Sequence, residues 1–321
     1  MHDITVLVLE GSFGSGVAAT LDILRAASAL APRVGAPIPR WRICSVDGGT
    51  IRLHSGLLIE TARLPRRAAS DRSVWVVPGI GVNNRHDVHT FQTRQDVQGV
   101  VGALQAHARK SGRIAAGCSA VFLLELAGLL KGRRVTTAWW LAPILQQMNP
   151  ECQVEAANMV CSDGHLITAG AAFAQKDLML HILNELCGAK LVDLLSRFLL
   201  VDAREAQSQY VVPEVLASGD ELVAKIVARI EERLPEMPSI SELAAEFLIS
   251  ERTLARHVNK ATGKSPTALL QTIRLRKART LLEQSRMSVE DIAAAVGYSD
   301  STALRRLMRK TTGNSPRQYR R

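Results

Sequence analysis

Two rhythms of apolar residues alternate along the N-terminal part of the chain. Ile4–Leu9 and Val74–Val77 are short, mostly apolar runs, and Trp41–Val46 and Arg113–Ala116 read as further short strands. Such β-branched-rich runs predict strands buried on both faces of a parallel sheet. Between them, Val17–Leu30 and Gln95–Lys110 place apolar residues at helical spacing. Further strands are expected at Arg134–Trp140, Val154–Cys161 and His165–Ala169, a short ribbon at Ile51–Ile59, and helices at Phe173–Leu186 and Leu191–Leu200. Asn83–His89 reads as a polar surface loop. This order of elements predicts a doubly wound α/β domain of flavodoxin-like type over about 1–202.

The pattern then changes. Residues 203–219 are polar, contain Pro213, and read as a linker. Asp220–Leu234 predicts an amphipathic helix with Leu222, Val223, Ile226, Val227, Ile230 and Leu234 in one stripe. From Ser239 onward the same unit occurs twice. Ala244/Ala293 and Ser250/Ser299 are offset by 49 residues, and Leu254/Leu304 by 50, so one copy carries an insertion.

Each copy reads as a helix-turn-helix, within an all-α domain over 220–321 whose heads span about 239–263 and 289–313. Leu243, Ala244 and Phe247 share one helical face, as do Ile292, Ala293 and Val296, and the small alanines allow close helix crossing. Gly297 tolerates the turn of the second copy. Ser250 and Ser299 stand where the second helices need N-caps. Those helices carry Arg252, Thr253, Arg256 and Lys260 in one head, and Ser301, Thr302, Arg305 and Arg306 in the other. Leu254, Leu304 and Leu307 face the core. Pro266–Gln284 is a helix without internal Gly or Pro, ~28 Å long at 1.5 Å per residue. It makes a strut that would hold the two heads at a fixed separation, and with successive major grooves ~34 Å apart one chain could read two turns of DNA.

Ala278-Arg279-x-Leu281-Leu282, Ile292-Ala293, Val296-Gly297-Tyr298-Ser299-Asp300, Gly313-x-Ser315-Pro316 and Tyr319-Arg320 together resemble the AraC-type transcription-factor signature. That resemblance implies a sequence-specific regulator acting on double-stranded DNA with the transcription machinery, and a homodimer. Arg252, Thr253, Arg256, Ser301, Thr302, Arg305 and Arg306 are then the expected base-reading residues, with Lys260 nearer phosphate.

Charge supports a nucleic-acid partner once it is located. The chain of 321 residues has a formal net charge of +10. From Ser239 onward 16 Lys+Arg stand against 7 Asp+Glu, a net +9, while the preceding residues hold 24 against 23. The five cysteines are odd in number and show no Cys-x-x-Cys, so neither a disulfide framework nor a zinc site is expected. No acid or cysteine near His86 and His89 completes a metal set, and Gly11, Gly14 and Gly16 match no phosphate-loop pattern, so no cofactor is expected. Ile4–Leu9 is too short for a signal or membrane segment, and the expected compartment is the cytoplasm.

Gly117-Cys118-Ser119-Ala120 follows a strand and opens a helix, a turn that can present a nucleophile. Together with Pro78-Gly79, Ala127-Gly128-Leu129-Leu130-x-Gly132-Arg133-Arg134-x-Thr136-Thr137-x-Trp139 and Thr168-Ala169-Gly170, it resembles the class I glutamine-amidotransferase-like domain of GlxA-type AraC regulators. Such a domain implies sensing of a small nitrogenous metabolite. Gly79, Gly81, Cys118, Ser119, Thr137 and Trp139 are the expected ligand-site residues. Hydrolytic relatives place a His after the elbow Cys and an acid after the first strand; here those positions are Ser119 and Gly16, with Asp22 a turn further on. Ala138 stands where related regulators carry another His. The chain is read as a regulator and not an enzyme, the alternative being a cysteine-dependent amidase or hydrolase fused to the DNA-binding domain.

Overall fold

The computed structural model describes residues 2–65, 68–201, 206–207, 212, 220–312 and 315–319, and the chain divides into two compact units, 1–207 and 208–321. Of the expected linker at 203–219, only Ala206, Gln207 and Val212 are described; the rest lies outside the described residues.

The first unit runs β1 (Ile4–Leu7), α1 (Gly14–Leu30), β2 (Trp41–Ser45), β3 (Gly49–Arg52), β4 (Leu58–Arg63), β5 (Val74–Val77), α2 (Arg85–Gln92), α3 (Gln95–Ala108), β6 (Ile114–Gly117), α4 (Val121–Leu126), β7 (Arg134–Val135), α5 (Ala142–Met148), β8 (Gln153–Val154), β9 (Val160–Asp163), β10 (Leu166–Ala169), α6 (Gln175–Cys187) and α7 (Ala189–Leu199). Eight strands form one sheet in the order β3-β4-β2-β1-β5-β6-β10-β9. Its interior pairings are parallel, and the edge strands β3 and β9 run antiparallel to their neighbours.

Alternation along β1 explains the layers. Ile4, Val6 and Val8 enter a core with α1, α6 and α7, while Leu7 and Leu9 enter a second core with α3 and α4. Every residue of β1, β5, β6 and β10 is buried, Thr5 and Thr168 included, as central strands of a sheet covered on both faces require. Strand order reverses beside β1, which pairs with β2 on one side and β5 on the other. The carboxyl ends of β1 and β5 therefore mark a topological switch point.

Three expectations change. Residues from Arg85 to Gln92 form α2 and not a loop, because the Asn84 side chain caps it by accepting from Asp87 N–H. Only Arg134 and Val135 of the expected strand at 134–140 pair, and they join β8 in a separate two-stranded sheet. The expected strand at 154–161 is two pieces, β8 and β9.

The second unit contains α8 (Glu221–Glu232), α9 (Ile240–Glu246), α10 (Glu251–Thr262), α11 (Pro266–Gln284), α12 (Val289–Ala295), α13 (Ser301–Thr312) and α14 (Pro316–Tyr319). Serines punctuate it. Ser239 and Ser288 form capping boxes with Glu242 and Asp291, and Ser250 and Ser265 cap α10 and α11. The helix α11 serves two cores. Leu269 and Ile273 pack with α8, α9 and α10, while Leu275, Ala278 and Leu282 pack with α12 and α13. No helix among the described residues is long and apolar enough to cross a membrane.

Candidate nucleic-acid interface and effector site

In each head the second helix buries one stripe and exposes another. On α10, Leu254 and Val258 are buried, and Arg252, Arg256 and Lys260 are exposed on the other side. On α13, Leu304 and Met308 are buried, with Leu307 partly so, and Thr302, Arg305, Arg306, Arg309 and Lys310 are exposed. Thr253 is half-buried, its hydroxyl accepting from Ser250 at 3.0 Å within the cap. A basic concavity of about 1140 Å³ lies beside α13, bounded by Thr302, Arg305, Arg306, Arg309, Lys310 and Arg317. Arg317, on α14, was not singled out by the repeat, because it lies beyond the duplicated helix-turn-helix.

The heads differ at the helix start. Ser299 does not cap α13: Asp300 Oδ1 accepts from Thr302 N–H and Ala303 N–H, at 2.5 and 3.1 Å. The single insertion thus falls inside the turn, and the cap passes one residue on. Ser301 and Arg305 are engaged by the preceding helix, both reaching Glu290 Oε1, at 3.0 and 2.9 Å. Glu290's own backbone N–H, then Ser301 and Arg305, hold its carboxyl below the usual range. Among the described residues, the side chains of Arg252, Arg256 and Arg306 make no hydrogen bond or ion pair.

In the first unit the elbow lies at the carboxyl end of β6. Cys118 has φ 53°, the left-handed region, and is 8% exposed. Gly79 abuts it: a Cβ on Gly79 would lie 3.1 Å from Cys118 Cβ. Ser119 Oγ accepts from Ile80 N–H at 3.0 Å and donates to Ile80 O at 2.5 Å, and Thr137 Oγ1 donates to Cys118 O at 2.8 Å. These two buried hydroxyls stitch the Pro78–Gly81 loop and the Thr137 turn to the elbow. Gly81 lies against His54, whose Nδ1 would be 2.6 Å from an added Cβ, and its N–H donates to Gly11 O. Trp139 is buried, edge-on to Trp140 at 5.1 Å between ring centroids.

The sequence reading missed Gln175, at the start of α6. It is 2% exposed, its Nε2 donates to Thr20 Oγ1 at 2.9 Å, and its Oε1 has no partner. That oxygen faces the elbow, 2.3 Å from where a Gly117 Cβ would be. Nothing local in the sequence marks it, since the β10–α6 turn and the β6 end meet only through the sheet.

Gly16, Asp22, His165 and His181 do not assemble a base and orienting acid beside the Cys118 thiol. Burial pushes Cys118 up to about 11 against the opposing hydrogen bonds of Ser119, so the thiol is protonated at neutral pH. Gly16 places no carboxylate there; a Cβ would meet Pro78 and Gln175, and Asp22 is exposed. His165 accepts Ile114 N–H through its backbone, at the far end of β6, and His181 pairs with Glu185, which also binds Arg113 at that far end. Three residues of strand, ~10 Å, separate Ile114 from Gly117. Among the described residues no group of His, Cys, Asp and Glu could hold a metal ion, and His86 and His89 are exposed on α2.

Comparisons with known proteins agree with this division. A helix-turn-helix domain model matches residues 243–321, and the DJ-1/PfpI family model matches residues 40–185. The chain is 28% identical to the HTH-type transcriptional regulator GbdR of Pseudomonas aeruginosa, over 99% of this chain and 84% of that one. It is 29% identical to the HTH-type transcriptional regulator GlxA of Rhizobium meliloti, over 94% and 91% respectively. Among solved structures, an AraC family transcriptional regulator from Pseudomonas putida superposes with TM-score 0.52 at 18% identity, over 62% of this chain and 100% of that one. The two sequence relatives are both named as transcriptional regulators.

Proposed function

We propose a specific mode of action for this chain, which joins a DJ-1/PfpI-like sensor domain to an AraC/GlxA-type tandem helix-turn-helix domain and is a DNA-binding transcriptional regulator. The helices α10 and α13 read successive major grooves of one duplex. Arg252, Thr253 and Arg256 face bases from the first head and Ser301, Thr302, Arg305 and Arg306 from the second, with Lys260 on phosphate. A small nitrogenous metabolite binds at the switch-point crevice beside Gly79, Gly81, Cys118, Ser119, Thr137 and Trp139, and the unpartnered Gln175 Oε1 supplies an acceptor for a donor group on it. The regulator works in the cytoplasm as a homodimer and meets the transcription machinery there.

The observation that carries this reading is the repeated placement of Arg256 and Arg306, exposed at equivalent positions of two capped helices that share the single helix α11. The test is a pull-down of fragmented source DNA on the full chain at ~0.15 M salt, since affinity without a stated salt is uninterpretable, followed by footprinting. A few sites, each protected over two adjacent major grooves per chain, are expected. Diffuse binding without a preferred site would remove the base-reading assignment.

A further inference from the structure

The last residue of the sensor unit is inserted into that unit. Gln207 is 1% exposed. Its backbone N–H donates to Ala157 O at 2.8 Å, and Ala206 bridges Asn158 in antiparallel fashion. Its carboxamide is held on both edges. Nε2 donates to Thr137 O at 2.8 Å and to Thr136 Oγ1 at 3.1 Å, and Oε1 accepts from Ala171 N–H at 3.1 Å. The network leaves one orientation for this amide. Thr137 O can only accept, Ala171 N–H can only donate, and the Thr136 hydroxyl hydrogen is given to Asn158 O at 3.0 Å. Gly170 makes the room, for a Cβ there would lie 2.4 Å from Gln207 Oε1 and 2.6 Å from its Cδ.

This is a site with two acceptors on one side and a donor on the other. A carboxylate has no hydrogens for the acceptors, and an ammonium has no lone pair for the donor. Of these three groups, the primary carboxamide alone satisfies both sides. The site is also joined to the elbow, because the Thr137 that takes Gln207 through its carbonyl gives its hydroxyl to Cys118 O.

We propose that Thr136, Thr137, Gly170 and Ala171 form a primary-carboxamide site, filled by Gln207 as an intramolecular ligand, and that this contact is a latch tying the exit of the sensor unit to the elbow. A small free primary carboxamide is the class of ligand that replaces it. The proposal rests on the effector-responsive reading above. It adds the physical link by which a change at Cys118 and Thr137 reaches the chain that continues into the DNA-binding unit.

Two variants of the full chain test it, Gln207→Ala, which empties the site, and Gly170→Ala, which blocks it while keeping the glutamine. The readouts are hydrogen exchange at the backbone amide of residue 207 and the thermal midpoint, with propionamide as probe and propionate as control. Both variants are expected to speed exchange at residue 207 on the order of tenfold. Propionamide should restore the midpoint of Gln207→Ala only, and propionate should restore neither variant. Unchanged exchange in both variants, or equal action of propionamide and propionate, overturns the carboxamide site. DNA affinity on the footprinted site should shift in the same direction in both variants. Altered exchange with unaltered DNA affinity overturns the latch. Should the natural protein itself show no preferred DNA site, the regulator reading fails separately, and the exchange and propionamide results still decide the carboxamide site.

Discussion

In the first head the recognition helix projects Arg252 and Arg256 with no protein partner, whereas in the second Arg305 is already tied to Glu290 on the preceding helix. Arg256 and Arg306 correspond at the 50-residue offset, but Arg305 corresponds to Ala255, and Glu290 to Ser241 at the 49-residue offset. The second head thus carries both a cation and its counter-ion where the first carries neither. A free arginine must be ordered when it meets a base, at up to ~2 kcal/mol of rotamer entropy. Arg305 has lost part of that freedom beforehand, but its carboxylate partner must be accommodated beside DNA. The two heads share a scaffold and differ in how their charge is presented.

The turns differ in the opposite sense, and here the largest effect is expected. Gly297 has φ 80°, and a Cβ there would lie 2.5 Å from Pro235 O. Gly297→Ala therefore adds left-handed backbone strain to a contact with backbone that cannot swing away. It should destabilise the second unit by ~2–4 kcal/mol in denaturant unfolding of the full chain. Wild-type stability would show that the turn relaxes.

DNA contacts come next. Arg256→Ala and Arg306→Ala should each cost ~1–3 kcal/mol of discrimination on the footprinted site if both pair with bases. A uniform loss across all sequences, with a shallower salt dependence, would make them phosphate contacts instead. Glu290→Gln sharpens the difference between the heads. It frees Arg305 and lowers local negative charge, so affinity should rise while specificity at the second half of the site falls. No such change is expected for Ser241→Ala in the first head.

The repeat made the heads legible because helical periodicity, serine caps and excess charge are local signals, and all appear twice. Aligning Ser250 with Ser299 misled by one residue, since either Ser299 or Asp300 can cap a helix and only the hydrogen bonds to Thr302 and Ala303 separate them. The α/β order and the Cys118 elbow were legible for the same local reasons. Gln175 and Gln207 were not, because each reaches its partners through the sheet: Gln175 bonds Thr20, and Gln207 bonds Thr136 and Thr137. Asn84, a cap hidden in a polar stretch, turned an expected loop into α2.

The first head also packs on α8, whose N-cap reaches the recognition helix. Asp220 caps α8 by accepting from Val223 N–H and takes a hydrogen bond from His257 Nδ1 on α10 at 2.8 Å. The residue matching His257 in the second head is Leu307. Burial alone would raise the Asp220 carboxyl, but the His257 and Val223 hydrogen bonds outweigh it and hold it below its usual range. A depressed carboxyl contributes stability above the unfolded value of about 4 and loses it as pH falls through the folded value. Asp220→Asn keeps a cap and removes the charge. It should cost ~0.5–1 kcal/mol at pH 7, reduced by the partial exposure of His257, and converge with the natural protein as the pH falls below the folded value. A cost that persists at low pH would assign the effect to packing.

The smallest expected effect tests why the first turn carries no glycine. Leu248 matches Gly297 at the 49-residue offset, adopts φ 53°, and is 92% exposed. Left-handed backbone costs an L-residue ~1–2 kcal/mol, and an exposed leucine recovers none of this by burial. Glycine would remove that strain but give back ~0.5–1 kcal/mol through the greater freedom of the unfolded chain. Leu248→Gly should therefore stabilise the first head by ~0.5–1 kcal/mol, a rise of a few degrees in its melting temperature. If stability rises while DNA binding is unchanged, the leucine serves neither the fold nor the duplex. If DNA binding or transcription falls while stability rises, the side chain is kept for a surface that meets another macromolecule.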